Sequence, residues 1–423
     1  MLIKVLIPLC VIFIVMLPLK FPIYSVLLAA TLYLQIFVNH MPLDNVVTAM
    51  FAALTRNSLL AVPFFVLAGN LMSTGSLGSR LVDLFAVFMK KIPGGLALSC
   101  VGANAVFGAI SGSAPAATGA FGKILWKPLS KEYGEQEAAG LITSSGSLST
   151  IIPPALPLIT YGIVTETSLA NLFMAAFLPG VLCVIILGAY LWVRHRKSTV
   201  DAVFERGERG RALKRGIVAL FMPIIILGGI YGGFFTPTEA GGIAALYAAV
   251  VSLLIIKDIK LRQFFSIFKE SAVTTARVFI LIAISTAFSQ ALTISQAPKA
   301  LQEMMTTLPP FAFLLILNVI LLIMGCFFDP SAANLVIAPL LVPIGLALGL
   351  NAVHIGIIFA VNLSIGMFTP PFGLSLFVSQ SVLDRPMALI VRGCIPFLFC
   401  YLIALLLITY IPQISLILPQ LLR

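Results

Sequence analysis

Two apolar half-chains carry the same helix breaks 217 residues apart, and that echo limits the fold more than any other feature of the sequence. Gly108 and Gly325, Pro93 and Pro310, the Pro153-Pro154 and Pro370-Pro371 pairs, and Pro179 and Pro396 all keep the offset. Proline lacks a backbone donor and clashes with the preceding turn, so a double proline stops a helix rather than bending it. Backbone freed inside an apolar segment cannot face lipid; it must be buried in protein or line a wet cavity. Interrupted segments in matching positions of two halves point to the binding site of a secondary transporter.

The segments around the breaks are those of a membrane protein. The 423 residues are 60% hydrophobic and 10% charged, with mean hydropathy +1.11, where a soluble domain carries about 25% charged residues. Apolar windows of about 20 residues recur from end to end, as membrane-spanning helices require. Long runs rather than alternating ten-residue strands exclude an outer-membrane barrel. The run Leu2–Leu19 has no small-x-small cleavage site before the next run opens at Phe21, so it reads as a retained first span.

The net charge of +11 is no nucleic-acid signature. Eight basic residues (Arg194, Arg196, Lys197, Arg206, Arg209, Arg211, Lys214, Arg215) fall in one loop against Asp201, Glu205 and Glu208. That is a cytoplasmic loop under the positive-inside rule, open to contact with anionic membrane lipid. The cysteines (Cys10, Cys100, Cys183, Cys326, Cys394, Cys400) show no C-x-x-C spacing and read as small buried apolar residues. His40, His195 and His354 are isolated, so no metal centre or cofactor is expected. Walker-type phosphate loops and nucleophile–base constellations are absent from the sequence, which argues against an ATP-driven pump and against an enzyme.

Anchoring the basic loops inside gives a topology of about ten spans. Residues 1–56 hold two N-terminal scaffold spans (2–18 and 22–38) and an interfacial stretch. Residues 57–193 form the first repeat: a span at 57–73, an amphipathic surface helix at Leu77–Lys91, a hairpin at 95–127, a span broken at 150–157, and a return at 169–193. The hairpin follows from two arms of about 15 residues around Ser111-Gly112-Ser113 with charged ends on one side. At 1.5 Å per residue such arms cover only about two-thirds of a bilayer core. Residues 194–270 hold the basic loop and two further scaffold spans. Residues 271–411 repeat the first pattern, with a surface helix at Gln296–Thr306, a hairpin at 311–345 and a span broken at 369–371; residues 412–423 form a tail. The link after the first hairpin (127–137) is highly charged, whereas its counterpart Ile344–Val353 carries no charge. Opposite sidedness requires that contrast, so the repeat is inverted.

Asp329 is the only acid deep in its apolar neighbourhood, where a lone carboxylate is costly unless paired. Two readings stand. Asp-Pro-Ser-Ala-Ala is a well-formed helix cap with Pro at the first helical position; alternatively, with or without capping, the carboxylate coordinates a cation. Ser111, Ser113, Asn334 and carbonyls freed around Thr150 and Thr369 would complete a hard-oxygen shell suited to Na⁺. The hydroxyl run Thr143–Thr150 leads into the first double proline, and Asn362–Thr369 is its second-half equivalent. Such runs either pack small residues against a neighbouring helix or line a polar cavity. Both hairpin tips also set helix N-termini near mid-membrane, which favours an anionic substrate. The substrate residues expected on these grounds are Ser111, Gly112, Ser113, Ser145, Ser147, Pro153, Pro154, Asn362, Thr369 and Pro370. The expected Na⁺ ligands are Ser111, Ser113, Ser149, Thr150, Asp329, Asn334, Gly366 and Thr369. Arg277 and Arg392 read as snorkelling or lipid-contacting residues, and Glu239 as a helix cap.

Several stretches jointly carry a family resemblance: Val62-Pro-Phe-Phe-Val-Leu-Ala-Gly-Asn70, Ser111-Gly-Ser, Ile151-Ile-Pro-Pro-Ala-Leu-Pro157 and Thr236-Pro-Thr-Glu-Ala240 in the first part, then Gly325-Cys-Phe-Phe-Asp329-Pro-Ser-Ala-Ala and Val361-Asn-Leu-Ser-Ile-Gly-Met-Phe-Thr-Pro-Pro-Phe-Gly373. The chain resembles the large membrane subunit of tripartite ATP-independent periplasmic (TRAP) transporters, over residues from near 60 to about 380. The resemblance implies a bacterial inner-membrane symporter that takes up a small organic acid with Na⁺ by an elevator movement. It also implies a small membrane subunit and a periplasmic binding protein as partners. The family often has Glu where Asp329 stands, which loosens any assignment of direct ligation. The rival reading is a Na⁺-dependent dicarboxylate-type symporter or exchanger of the same two-hairpin architecture that needs no binding protein.

Overall fold

The computed structural model describes residues 2–16, 18–19, 21–196, 208–305 and 309–422; Lys20, Lys197, Asp201, Glu205, Arg206 and Thr306 lie outside the described residues. Twenty α-helices and no strand occur among them. The chain opens with α1 (Leu2–Met16), α2 (Ile23–Tyr33, prolonged by a π turn to Val38) and α3 (Asp44–Leu54). Next come α4 (Ala61–Thr74, entered through a 3₁₀ turn at Asn57–Leu60) and α5 (Leu77–Met89). The first hairpin is α6 (Gly95–Ser111) and α7 (Ala114–Tyr133). The first broken span is α8 (Glu135–Gly146), a 3₁₀ turn at Ser147–Thr150, and α9 (Leu156–Val164); α10 (Leu169–His195) returns. Then α11 (Glu208–Tyr231) and α12 (Pro237–Val250, prolonged by a π turn to Ile255) join the halves. The second half runs α13 (Leu261–Ile294), α14 (Ala297–Met305), the hairpin α15 (Pro310–Phe327) and α16 (Pro330–Ala347), the broken pair α17 (Ala352–Gly366) and α18 (Leu374–Leu383), then α19 (Met387–Tyr410) and α20 (Gln413–Leu421).

Local chemistry sets these boundaries. Proline stands in the first turn of α7, α9, α12, α15 and α16, where its missing N–H has no intrahelical partner to lose. Thr236 and Glu239 form a reciprocal capping box at the start of α12, as the Thr-Pro-Thr-Glu motif predicts. The surface helix α5 buries Leu77, Leu81 and Leu84 at helical spacing.

Cross-element contacts sort the loops into two ends. At one end Glu137 accepts from Arg194 (3.0 Å) and pairs with His195 (2.7 Å), Arg385 donates to both Glu135 oxygens (2.9 and 2.7 Å), and Asp258 accepts from the Ser76 backbone (2.6 Å). The Arg385 guanidinium holds the Glu135 carboxyl below the usual carboxylate range. At the other end Arg56 reaches Glu166 (2.8 Å) and the Ile163 carbonyl (2.9 Å), Tyr161 donates to the Ala352 carbonyl (2.7 Å), and Phe311 stacks on Tyr410 (4.6 Å between centroids). The base of the first hairpin (Gly95, Tyr133) belongs to the first end, where Gly94 abuts His195. The base of the second (Pro310, Ala347) belongs to the other. The hairpins therefore enter from opposite ends, which is the inverted arrangement.

Other features depart from the sequence reading. The first hairpin does not stop at 127: α7 runs on to Tyr133, because Lys127–Tyr133 are mostly good helix formers and Gly134 (φ +84°) is the actual break. The boundary near 271 falls inside α13, whose 34 residues make about 51 Å of helix against a core of about 30 Å. Residues 412–423 include α20, which packs along α10. Eight helices are long and apolar enough to cross a membrane among the described residues. Two of them are the arms of the second hairpin, whereas both broken spans and the first two spans fall short as single helices.

Candidate functional site

The breaks of the two halves meet. Thr150 at the end of the Ser147–Thr150 3₁₀ turn hydrogen-bonds Ser364 of α17 through their hydroxyls (2.6 Å), with both side chains buried. The repeat reproduces its own packing beside this crossing. A Cβ on Gly108 would stand 2.7 Å from the Ser149 Cα, and one on Gly325 would stand 3.0 Å from the Gly366 Cα. Each glycine is thus the slot through which a hairpin arm approaches the broken helix of its own half. Both Pro-Pro bonds are cis.

The first tip closes onto the first break. Gly112 ends α6 in the left-handed region (φ +59°), a conformation that strains any residue with a Cβ. A Cβ there would also lie 2.9 Å from the Pro154 carbonyl. Ser113 caps α7, accepting from the Ala116 N–H (3.5 Å), and the Ser111 hydroxyl accepts from the Ser113 N–H (3.2 Å). On the far side Gly69 of α4 lies against the Ser111 backbone. From the second hairpin Asn334 donates to the Pro157 carbonyl (2.7 Å) and to Thr160 Oγ1 (3.4 Å), tying α16 to the first half's α9. Residues 150–160 therefore lie between the two hairpins.

The hydroxyl run divides. Thr143, Ser144 and Ser145 bond back to carbonyls four residues earlier, the ordinary way a membrane helix satisfies such groups. Ser145 also accepts from Asn104 (3.0 Å). Ser147 and Ser149 are buried and their hydroxyls have no partner among the described residues; the same holds for Asn334 Oδ1. Oxygens orphaned in a buried site cost free energy unless something meets them, and a hard cation accepts such donors. Thr369 bonds back to the Ile365 carbonyl (2.7 Å), with Pro370 following it at the second break, and Gly366 is pressed against Gly325. Asn362 donates to Asn318 (2.8 Å) and to the Ile358 carbonyl (2.8 Å), and its Oδ1 is buried with no partner among the described residues.

Asp329 caps α16 through Oδ1, accepting from Ser331 N (2.9 Å) and Ala332 N (3.4 Å). It is exposed to a cleft of about 530 Å³ whose other walls are the start of α2 and the middle of α13. Neither Ser111 nor Ser113 lines that cleft. Sequence reasoning passed over Asn104 and Asn318, the side chains that orient Ser145 and Asn362. An amide in an otherwise apolar membrane helix was the available signal. The Thr150–Ser364 bond is testable on its own: Thr150→Val and Ser364→Ala should each cost about 1 kcal/mol. The double variant should cost no more than the worse single one, as read by thermal melting in detergent.

Comparison with known proteins accounts for this arrangement. Residues 10–414 match the family described as the tripartite ATP-independent periplasmic transporter, DctM component. The chain is 38% identical to the C4-dicarboxylate TRAP transporter large permease protein DctM of Pseudomonas aeruginosa, covering 88% of each chain. It is 34% identical to the sialic acid large permease SiaM of Vibrio cholerae (94% of each). It is also 34% identical to the ectoine/5-hydroxyectoine large permease UehC of Ruegeria pomeroyi (96% and 97%). Among solved structures, the YdaH transporter of Alcanivorax borkumensis shares the fold, with a TM-score of 0.55 at 15% identity over 86% of each chain. MtrF of Neisseria gonorrhoeae does so with 0.55 at 13%, over 87% and 83%. Matched over nearly its whole length and built as an inverted pair of apolar hairpin units, the chain belongs to the DctM-component, or large permease, family of tripartite ATP-independent periplasmic transporters and is a multi-pass transport protein of the inner membrane.

Proposed function

We propose that this permease carries a small organic anion inward with Na⁺, the two hairpin units moving together as an elevator. As one component of a tripartite transporter, it works with a small membrane subunit and a periplasmic binding protein that delivers the substrate. The observation that carries the Na⁺ assignment is the pair of buried, unpartnered hydroxyls (Ser147 Oγ, Ser149 Oγ) in the 3₁₀ turn that ends at the crossing, with the unpartnered Asn334 Oδ1 on the hairpin arm bonded to Pro157. These are neutral hard donors next to interrupted backbone, a setting for a monovalent cation. The N-terminus of α7 at the first hairpin tip supplies partial positive charge for an anion, whereas that of α16 is already capped by the Asp329 carboxylate. Thr150–Ser364 and Asn334–Pro157 join the two breaks and the second hairpin across the halves, which supports their moving as one body. Carboxylates are the substrate class favoured by the named relatives, with ectoine extending it to zwitterions.

Reconstituting the permease with its small subunit tests this reading. Uptake of radiolabelled acids should require an inward Na⁺ gradient and the loaded binding protein. Uptake indifferent to Na⁺ removes the coupling, and uptake that ignores the binding protein favours the self-sufficient symporter.

A further inference from the structure

The sequence reading leaves Arg277 as a snorkelling residue. The structure puts it in the cleft opposite Asp329, together with Phe21, Tyr24, Phe327 and Phe328. Arg277 stands eight residues beyond Lys269 in α13, about 12 Å along the helix, and its side chain is exposed to the cleft. No hydrogen bond or ion pair joins it to Asp329 or to any other group among the described residues. A guanidinium and a carboxylate thus face one aromatic-walled space without closing on each other. Charges in such positions are costly and mark substrate paths, and guanidinium is the side chain best shaped to grip a carboxylate in two places. Asp329 uses Oδ1 for its cap. Its other oxygen offers an acceptor, which suits a hydroxyl or ammonium and repels a second carboxylate.

We propose that Arg277 binds the carboxylate of the transported molecule while Asp329 accepts from a hydroxyl or ammonium on the same molecule, so the permease selects hydroxylated or zwitterionic monocarboxylates over plain dicarboxylates. This rests on the organic-anion reading above and narrows its substrate class. The 530 Å³ of the cleft accommodates a molecule of sugar-acid size.

The test uses the permease with its small subunit in neutral phosphatidylcholine nanodiscs, so that no anionic lipid competes for Arg277. D-gluconate and succinate are the calorimetric probes, with and without Na⁺. Gluconate should bind at least tenfold tighter than succinate. Arg277→Gln should weaken gluconate at least tenfold at an unchanged melting temperature, with Arg277→Lys intermediate. Gluconate binding that Arg277→Gln retains, succinate binding as tight as gluconate, or no gluconate binding at all overturns the inference. Failure of the underlying transport reading looks different: wild-type binding that ignores Na⁺ removes the coupling even where Arg277 matters.

Discussion

Gly366→Ser should abolish uptake and lower the melting temperature sharply, although the first half carries serine at the equivalent position. A side chain on Gly366 would overlap the Gly325 backbone, including its carbonyl carbon. Ser149, 217 residues earlier, stands at the matching contact, where a Cβ on Gly108 would lie 2.7 Å from the Ser149 Cα. The broken span thus carries serine at this contact in the first half and glycine in the second. Overpacking costs about 1–3 kcal/mol when side chains can yield. Here the obstacle is backbone in two helices, so relief requires moving the whole hairpin arm away from the broken span. Gly228→Ser in α11 is the control, since nothing lies within 4 Å of a Cβ there; it should melt and transport like the wild type. Gly366→Ser with wild-type uptake would show that the α15–α17 contact is looser than described. Gly140 and Gly393 form a comparable backbone contact between α8 and α19, and alanine at either should behave as the Gly366 variant does.

What could be read from the sequence was what depends on local punctuation. The hairpin at Ser111–Ser113, the Asp329 cap, the Thr236–Glu239 box and both double-proline breaks are each fixed within a few residues by missing donors, caps or φ preferences, so they appear where the pattern places them. The surface helix α5 was legible because its apolar spacing repeats at the helical period. Extents were harder. Charged residues in 127–133 and 261–270 suggested loops, yet charge ends a membrane span without ending a helix, and α7 and α13 continue into the aqueous layer. α20 lies between Pro412 and Leu422 and is held by α10, a partner more than two hundred residues away that no local pattern reveals.

At the site the limit was direction rather than identity. Ser145 and Ser147 look alike in sequence; Asn104 claims one and leaves the other without a partner. Asn362 donates to Asn318 on a different helix, a pairing that no local pattern reveals. Arg277 was hidden for the same reason. Whether a residue midway along a helix meets lipid or a cleft depends on what packs beside it, here α2 and the second tip.

Asp329→Asn separates the two roles that one side chain holds. Asparagine caps a helix about as well as aspartate, and its Oδ1 can keep the bonds from Ser331 N and Ala332 N. The fold and melting temperature should therefore survive the exchange. What disappears is the charge, and with it any attraction for Na⁺ or for a donor on the substrate. Uptake at limiting Na⁺ should fall at least tenfold, equivalent to about 1.4 kcal/mol of lost interaction, and should recover partly as Na⁺ is raised if the charge serves the cation. Recovery with substrate concentration instead would place the charge at the substrate. Asp329→Ala removes the cap as well and should add about 1 kcal/mol of instability, so its melting temperature should drop where that of Asp329→Asn does not. Both variants transporting at the wild-type rate across the Na⁺ range, with only the alanine form melting early, would reduce Asp329 to a helix cap. The Na⁺ seat would then rest on Ser147, Ser149 and Asn334 alone, the buried oxygens that need a partner whether or not a carboxylate stands nearby.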